Sequence, residues 1–285
     1  MTQPQILVTG ASGTVGSALL AQLAQLGIPA RAGVRTLPAV PTSDLITYVH
    51  FDFGDPVLMD AAMQGIRTLF LLTPNAADAV AYAQAAVQAA RQAGIAHIVR
   101  LSAYSTPDEM HNPHRIIDAL LAESGIPFTV LQPGPFMQNF VFAFGPTIRA
   151  QSALYEPLMD ARVSYIDARD IARTAAVILS DPSAHAGATY VLTGPEALSD
   201  YDIASILTDV TGRPIQYVPI SDDAARASLT GIGLPEPVVE SVIGLYGLMR
   251  AGKRSHVTTH IEHITGQPAT SFAVFARDYA SAFTS

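Results

Sequence analysis

The chain has 285 residues, 49% of them hydrophobic and 14% charged, a balance that supports a sizeable packed core and excludes a disordered polymer. Its net charge of −8, with no basic run, argues against nucleic acid as the main partner, because phosphate backbones select basic surfaces. Cysteine is absent, so disulfides, thiolate metal sites and thiol catalysis are excluded.

In chain order, a strand is expected over 5–9, followed by a helix over 14–26. Val15, Leu19, Leu20, Leu23 and Leu26 fall near helical spacing there, and Gly27 is the stop. Strands are expected over 30–35 and 46–51. Asp55-Pro56 then opens a helix that ends at Gly65, with proline in the first helical position. A strand over 68–72, an alanine-rich helix over 76–93 closed by Gly94, and a strand over 97–102 come next. Asn112-Pro113 starts another helix, closed by Gly125, before a strand over 128–132. Such alternation gives parallel strands joined by right-handed crossovers, hence an α/β fold: a doubly wound parallel sheet of Rossmann type with helices on both faces. The ligand crevice of such a sheet lies at the carboxyl ends of its strands.

Beyond residue 135 the pattern loosens. The aromatic stretch 136–144 reads as loop and helix start, 161–166 as a short strand, 170–179 as a helix, and 189–193 as a further strand of the main sheet. Ser199-x-x-Asp202 resembles a capping box for a helix that stops at Gly212. A strand over 215–220 and helices over 235–251 and 271–283 complete the reading. The expected organisation is a nucleotide-binding core over 1–150, completed by about 163–193, and a smaller substrate-capping region over 194–285. No apolar run reaches the roughly 20 residues of a membrane helix, and the start of the chain shows no basic, cleavable leader. A cytoplasmic protein without membrane or nucleic-acid partners is expected, with monomer and homodimer both open.

The segment Gly10-Ala11-Ser12-Gly13-Thr14-Val15-Gly16 sits between the first strand and the first helix. Gly10 permits the tight turn, Gly13 lets backbone approach a pyrophosphate, and Gly16 lets helix pack on strand. The helix start then offers free N–H groups and a partial positive charge to phosphate. The strand–turn–helix context makes this a dinucleotide signal rather than an isolated glycine-rich loop. The end of the second strand chooses the nucleotide. An acid there bonds the ribose hydroxyls of NAD, but this chain has no acid before Asp44, and Arg35 ends the strand. A guanidinium at that place suits the 2′-phosphate of NADP(H).

One proton-transfer device is missing. In a Tyr-x-x-x-Lys pair the lysine lowers the tyrosine pKa so that the phenol can protonate a carbonyl. None of the ten tyrosines here is followed by such a lysine, and Lys253 is the only lysine in the chain. The helix after the fifth strand carries His114-Arg115-Ile116-Ile117-Asp118 instead. Two uses remain open: hydride transfer to an acceptor that needs little proton assistance, such as a quinone or conjugated cation, or binding of the nucleotide without turnover.

Motifs spread over nearly the whole length carry a resemblance. They are Val8-Thr9-Gly10-Ala11-Ser12-Gly13-Thr14-Val15-Gly16, Phe51-Asp52-Phe53, Leu71-Leu72-Thr73-Pro74, Leu131-Gln132-Pro133-Gly134-Pro135-Phe136-Met137-Gln138-Asn139-Phe140 and Tyr165-Ile166-Asp167-Ala168-Arg169-Asp170-Ile171-Ala172. Thr211-Gly212-Arg213-Pro214 and Ile264-Thr265-Gly266-Gln267-Pro268 follow. Together they resemble the NmrA-like branch of atypical short-chain dehydrogenases/reductases, which includes quinone and triphenylmethane-dye reductases. The resemblance implies that Asp52 and Phe53 flank the adenine and that Leu72, Thr73, Pro74 and Asn75 line the ribose and pyrophosphate path. It also places Ser102 and Tyr104 near the nicotinamide, with Pro133 and Phe136 beside its ring. The branch includes regulatory members that sense NADP(H), so an oxidoreductase and a non-catalytic sensor both fit.

For chemistry, Tyr104 stands two residues past Ser102, where a phenol can donate to an acceptor oxygen. His114 can replace the missing tyrosine as proton donor, given an imidazole pKa suited to neutral pH. Phe136, Met137, Phe140, Phe142 and Phe144 form either an aromatic pocket for a flat hydrophobic substrate or ordinary core. His256, His260 and His263 show metal-ligand spacing but have only Glu262 as a nearby acid, so no metal is expected. Asp167 and Asp170 read as turn and helix-start acids.

Overall fold

The computed structural model describes residues 5–40, 43–74, 76–109 and 112–284. The chain divides into two compact units. The first comprises Met1–Pro133, Ala168–Leu192 and His260–Gln267; the second comprises Gly134–Asp167, Thr193–Thr259 and Pro268–Ser285. The first division therefore falls at 133/134 rather than at 150, and a late segment, 260–267, belongs to the first unit.

The first unit is built on a seven-stranded sheet: β1 (Ile6–Val8), β2 (Ala30–Val34), β3 (Ile46–His50), β4 (Thr68–Leu71), β5 (His97–Leu101), β6 (Phe128–Pro133) and β8 (Thr189–Leu192). Their order is β3-β2-β1-β4-β5-β6-β8, and every pairing is parallel. This is the doubly wound Rossmann-type sheet expected from the alternation. Strands β1, β4 and β5 are buried along their whole length, as strands covered on both faces must be. The strand order reverses between β1 and β4, so the crevice of the fold opens at their carboxyl ends.

The helices of this unit start where their side chains dictate. At the head of α2 (Pro56–Met63), Asp55 accepts the N–H groups of Val57 (2.9 Å) and Leu58 (3.1 Å). At α4 (Pro113–Ala122), Asn112 accepts the N–H of His114 at 2.9 Å. In α3 (Ala79–Gln92), Ala79, Ala83, Ala86 and Ala90 make a buried stripe of small residues that lets the helix lie close to its neighbours. Helix α6 (Ala168–Ser180) packs on α1 (Thr14–Gln25), and α10 (His260–Thr265) packs on α6 and β8.

In the second unit, β7 (Ala153–Glu156) pairs in parallel with β9 (Gln216–Pro219) beside α5 (Gly145–Gln151), α7 (Asp200–Thr211), α8 (Asp222–Gly231), α9 (Glu236–Arg250) and α11 (Phe272–Asp278). The predicted strand over 161–166 does not form. Val163 bridges Leu198 and Ile166 bridges Phe136, two isolated contacts that never become a ladder. The predicted helix over 271–283 breaks after Asp278 and ends in one 3-10 turn. The aromatic stretch is a π-helical turn over Phe140–Phe144 running into α5. Phe140 is fully buried against Phe144, Tyr165 and Phe272, and Met137 is core beside it. Phe142 points to solvent, 66% exposed, so the five residues do not form one pocket lining.

Among its described residues this unit buries three carboxyl groups, Asp167, Asp200 and Glu156, and the last two are short of hydrogen-bond partners. Among the described residues, Asp200, at the first position of α7, is fully buried with no partner for either oxygen, and Glu156 at the end of β7 is buried with none for Oε2. Burial pushes Asp200 up to about 7, although the positive end of a helix favours the ionised form. Burial and the neighbouring Asp200 raise Glu156 far above the usual carboxylate range, while Tyr246 bonds it and draws it back. Among the described residues, no helix is long and apolar enough to cross a membrane, and no group of three or more His, Asp or Glu could hold a metal ion.

Candidate functional site

At the carboxyl end of β1, Thr9 ties β1 to β4. Its hydroxyl accepts the Leu72 N–H at 2.8 Å and faces the carbonyls of Phe70 and Leu72 at 3.1 Å. Gly10 follows at φ +62°, a left-handed conformation that costs a side-chain-bearing residue more than glycine. The Gly13 N–H closes the turn on the Gly10 carbonyl at 3.0 Å. A Cβ on Gly16 would overlap that same carbonyl, which is the close helix–strand approach the sequence implied. Gly13 is the N-cap of α1, no side chain caps it, and the first turn holds no acid. Ser12, Gly13 and Thr14 are exposed, while Val15 and Gly16 are buried beneath them. The uncapped first turn is a cradle of backbone N–H groups with a positive dipole end, and it fits a dinucleotide diphosphate.

The neighbouring strand ends bring up the other expected groups. Arg35 is exposed immediately after β2, where no acid stands. Asp52 is exposed just past β3, with Oδ1 accepting the Gly54 N–H at 2.8 Å. Phe53 is half-buried, edge-on to Phe51 and tilted against Tyr82. After β4, Leu72 is half-buried, Thr73 buried and Pro74 exposed; Asn75 lies outside the described residues. Two surface grooves of this unit lie elsewhere. One of about 600 Å³ runs between α3 and α4, and the other, of about 800 Å³, lies at the amino ends of β1, β4 and β5; neither includes a residue of the glycine turn.

The end of β5 holds a polar network. Strand alternation puts Arg100 and Ser102 on the same face as Ile98, beneath α4. Arg100 is fully buried; its Nη1 donates to the Leu101 carbonyl and lies 3.4 Å from the Leu71 carbonyl, and its Nη2 lies 3.5 Å from His114 Nδ1. Burial lowers this guanidinium to about 10, and Asp118 partly restores it. One turn along α4 from His114, Asp118 Oδ2 accepts from Ser102 Oγ at 2.8 Å and from Gln132 Nε2 at 3.0 Å. Asp118 Oδ1 is buried without a partner among the described residues. Burial raises the Asp118 pKa, against the opposing pull of Gln132, Ser102, Arg100 and Arg115.

This network corrects one expectation. His114 does not carry a neutral-range pKa: burial, then the Arg100 cation, push it down to about 4. At pH 7 it is a neutral imidazole, not an imidazolium acid. Tyr104 is half-buried, and its N–H donates to the Pro133 carbonyl at 2.9 Å, extending the β5–β6 pairing. Pro133 ends β6 in the first unit, whereas Phe136 is a half-buried residue of the second. His260 Nδ1 lies 2.9 Å from the Val191 carbonyl, a contact within the first unit. Asp170 pairs with Arg173 at 2.8 Å, and Asp167 accepts from Gln138 at 2.9 Å.

Sequence reasoning overlooked Arg100, Asp118 and Gln132. Signals for them existed: a lone cation inside the apolar strand His97-Ile98-Val99-Arg100-Leu101, and an acid four residues after His114 on the same helix face.

Comparison with known proteins agrees with the resemblance. The model of the NmrA-like family matches residues 2–272. The chain is 35% identical to an NAD(P)H azoreductase of Xenophilus azovorans, over 98% of this chain and 99% of that one. Among solved structures, the NADPH-dependent quinone oxidoreductase of Escherichia coli complexed with NADPH has the same fold, with a TM-score of 0.86 at 23% identity over 97% of this chain and 99% of that one. The triphenylmethane reductase of Citrobacter sp. complexed with NADP(H) gives 0.84 at 23% identity over 96% and 99%. With its glycine turn, its doubly wound sheet and a match across almost its full length, the chain belongs to the NmrA-like family.

Proposed function

We propose that this protein is an NADPH-dependent oxidoreductase that delivers hydride to a quinone or another conjugated, aromatic acceptor without a Tyr-x-x-x-Lys relay. The observation that carries the reading is the uncapped first turn of α1 at the sheet's switch point, with Gly10 and Gly16 in positions a side chain would disturb. Ser12, Gly13, Thr14 and Val15 would hold the diphosphate through backbone N–H groups. Arg35 would grip the 2′-phosphate, Asp52 and Phe53 would flank the adenine, and Leu72, Thr73 and Pro74 would line the path between. Ser102, Tyr104 and Pro133 would meet the nicotinamide end. NADPH supplies the hydride when bound. The residues position the acceptor, and positioning is the larger part of catalysis for such a transfer. That its relatives include an azoreductase, a quinone oxidoreductase and a dye reductase supports the acceptor class.

Fluorescence titration with NADPH and NADH tests the cofactor. NADPH should bind more tightly, and Arg35→Ala should erase roughly a tenfold preference, the worth of about 1.4 kcal/mol. Equal affinities in the parent would remove the role given to Arg35. NADPH oxidation against a panel of quinones, azo dyes and triphenylmethane dyes tests the reaction. Tight binding with no turnover on any acceptor would replace the reductase by an NADP(H)-sensing regulatory protein. No binding of either nucleotide would remove both readings.

A further inference from the structure

We infer that Ser102 and Asp118 form a two-member proton relay in which Ser102 Oγ protonates the reduced acceptor and Asp118, a positioning residue behind it, resupplies the serine. The inference rests on the reductase reading above, but its geometry is independent of it.

The argument starts from hydrogen-bond capacity. An ionised carboxylate accepts at both oxygens, and a buried one needs donors at both. Asp118 is half-buried but its Oδ1 is fully shielded; it has two donors, Ser102 and Gln132, both on Oδ2, and among the described residues none on Oδ1. A neutral carboxyl is satisfied more easily. Its O–H needs one acceptor, and Ser102 Oγ lies at 2.8 Å. In that state the Ser102 hydrogen is released from Asp118 and can turn toward an acceptor oxygen at the carboxyl end of β5. Gln132, from β6, holds the carboxyl in register.

The charged and titratable groups around Asp118 suit a donor that must also let its proton go. Burial favours the neutral acid, while Arg100 from β5 and Arg115 from α4 favour the carboxylate left after transfer. His114, neutral beside Arg100, does not compete as the acid. The chain thus sets a hydroxyl and an acid on α4 and β5, the elements on which the sequence lacks a Tyr/Lys pair.

The step balances. NADPH would supply the hydride, its own C–H bond breaking to leave NADP+, and the quinone would gain that hydrogen with two electrons. The anion that results takes the Ser102 proton as the serine O–H breaks and the product O–H forms. Ser102 Oγ takes the Asp118 proton, leaving the carboxylate facing Arg100. Water returns one proton to Asp118 before the next turnover. Quinone plus hydride plus proton gives hydroquinone.

The test is Asp118→Asn, which keeps the volume and an acceptor oxygen but cannot release a proton. With NADPH and a quinone, kcat should fall about 100-fold, the usual range for losing a positioned acid. The fall in kcat as pH rises through the Asp118 titration should vanish, and the NADPH Kd should stay within about twofold. Infrared difference spectra of the nucleotide-free protein give a readout apart from turnover. They should show a protonated carboxyl that titrates above the ordinary aspartate range and is missing in D118N. Ser102→Ala should lose the same pH limb, and the double variant should be no slower than either single one; this arm also serves if D118N does not fold. An unchanged kcat and pH profile in D118N or S102A, or a carboxyl that titrates like an exposed aspartate, overturns the relay while the reductase reading stands. No NADPH oxidation by the parent with any acceptor overturns both.

Discussion

Each of the two units shields acid from water, in part or wholly, and the neighbours differ. In the first, half-buried Asp118 receives two hydrogen-bond donors and faces two cations, Arg100 and Arg115. In the second, Asp200 and Glu156 face each other and tyrosines, with three carboxyl oxygens left unpartnered among the described residues. The first arrangement tolerates either charge state, which is what proton transfer needs. The second tolerates only protonated or half-protonated acid, because two bare carboxylates in a dry interior repel and lose hydration. Shielding a carboxyl from water is therefore not one device but two, and its neighbours decide which.

The largest effect on this contrast should come from removing the cation. Arg100→Met keeps much of the aliphatic bulk but leaves Asp118 with less compensation. A loss on the order of 3 kcal/mol is expected in urea denaturation at pH 8. The loss should shrink in a D118N background. If it is the same in both backgrounds, Arg100 acts by packing alone and the contrast fails.

Asp200→Asn probes the other side, and its sign is opposite. The folded pKa of about 7 exceeds the ordinary unfolded value of about 3.9. Between these limits the native state holds a proton that the unfolded chain has shed, so stability falls as pH rises. Asn removes that penalty. D200N should melt close to the parent near pH 4 and a few degrees higher at pH 8, since 1 kcal/mol is worth about 2–4 °C in a domain of this size. A variant less stable than the parent at pH 8 would mean that the ionised acid has a counter-charge and that the two sites are alike.

The smallest effect sharpens the comparison locally. Ser199 and Asp202 form a reciprocal capping box at the head of α7, one residue from Asp200. Ser199→Ala should cost about 1 kcal/mol. If that loss is constant from pH 6 to 8, burial and not the helix end governs Asp200.

What could be read in the sequence was what is local. The glycine turn, the caps at Asp55, Asn112 and Ser199, and the alternation of strand and helix depend on neighbours a few residues apart, and the structure repeats them. The role of Arg35 remains a proposal in both readings. Strand β7 escaped notice because it is four residues long and enters from Ser152 at φ +54°, with a buried glutamate at its end. The Asp118 network also escaped, because it needs β5, β6 and α4 to be stacked before Ser102, Gln132 and Asp118 become neighbours. The pKa of His114 was misjudged for the same reason: a histidine at a helix start reads as solvated until the buried Arg100 is seen beside it.

The route of the chain has a consequence for biogenesis. Strand β8 and helix α10, both parts of the first unit, are encoded after long stretches of the second. A nascent polypeptide that has emerged only as far as Pro133 presents β6 as a naked sheet margin, open to mispairing until β8 arrives. Nor can one scission release that unit intact, because its three stretches are interleaved with the other's three. Split-gene versions of this protein should accordingly aggregate as halves and recover only when both are made together.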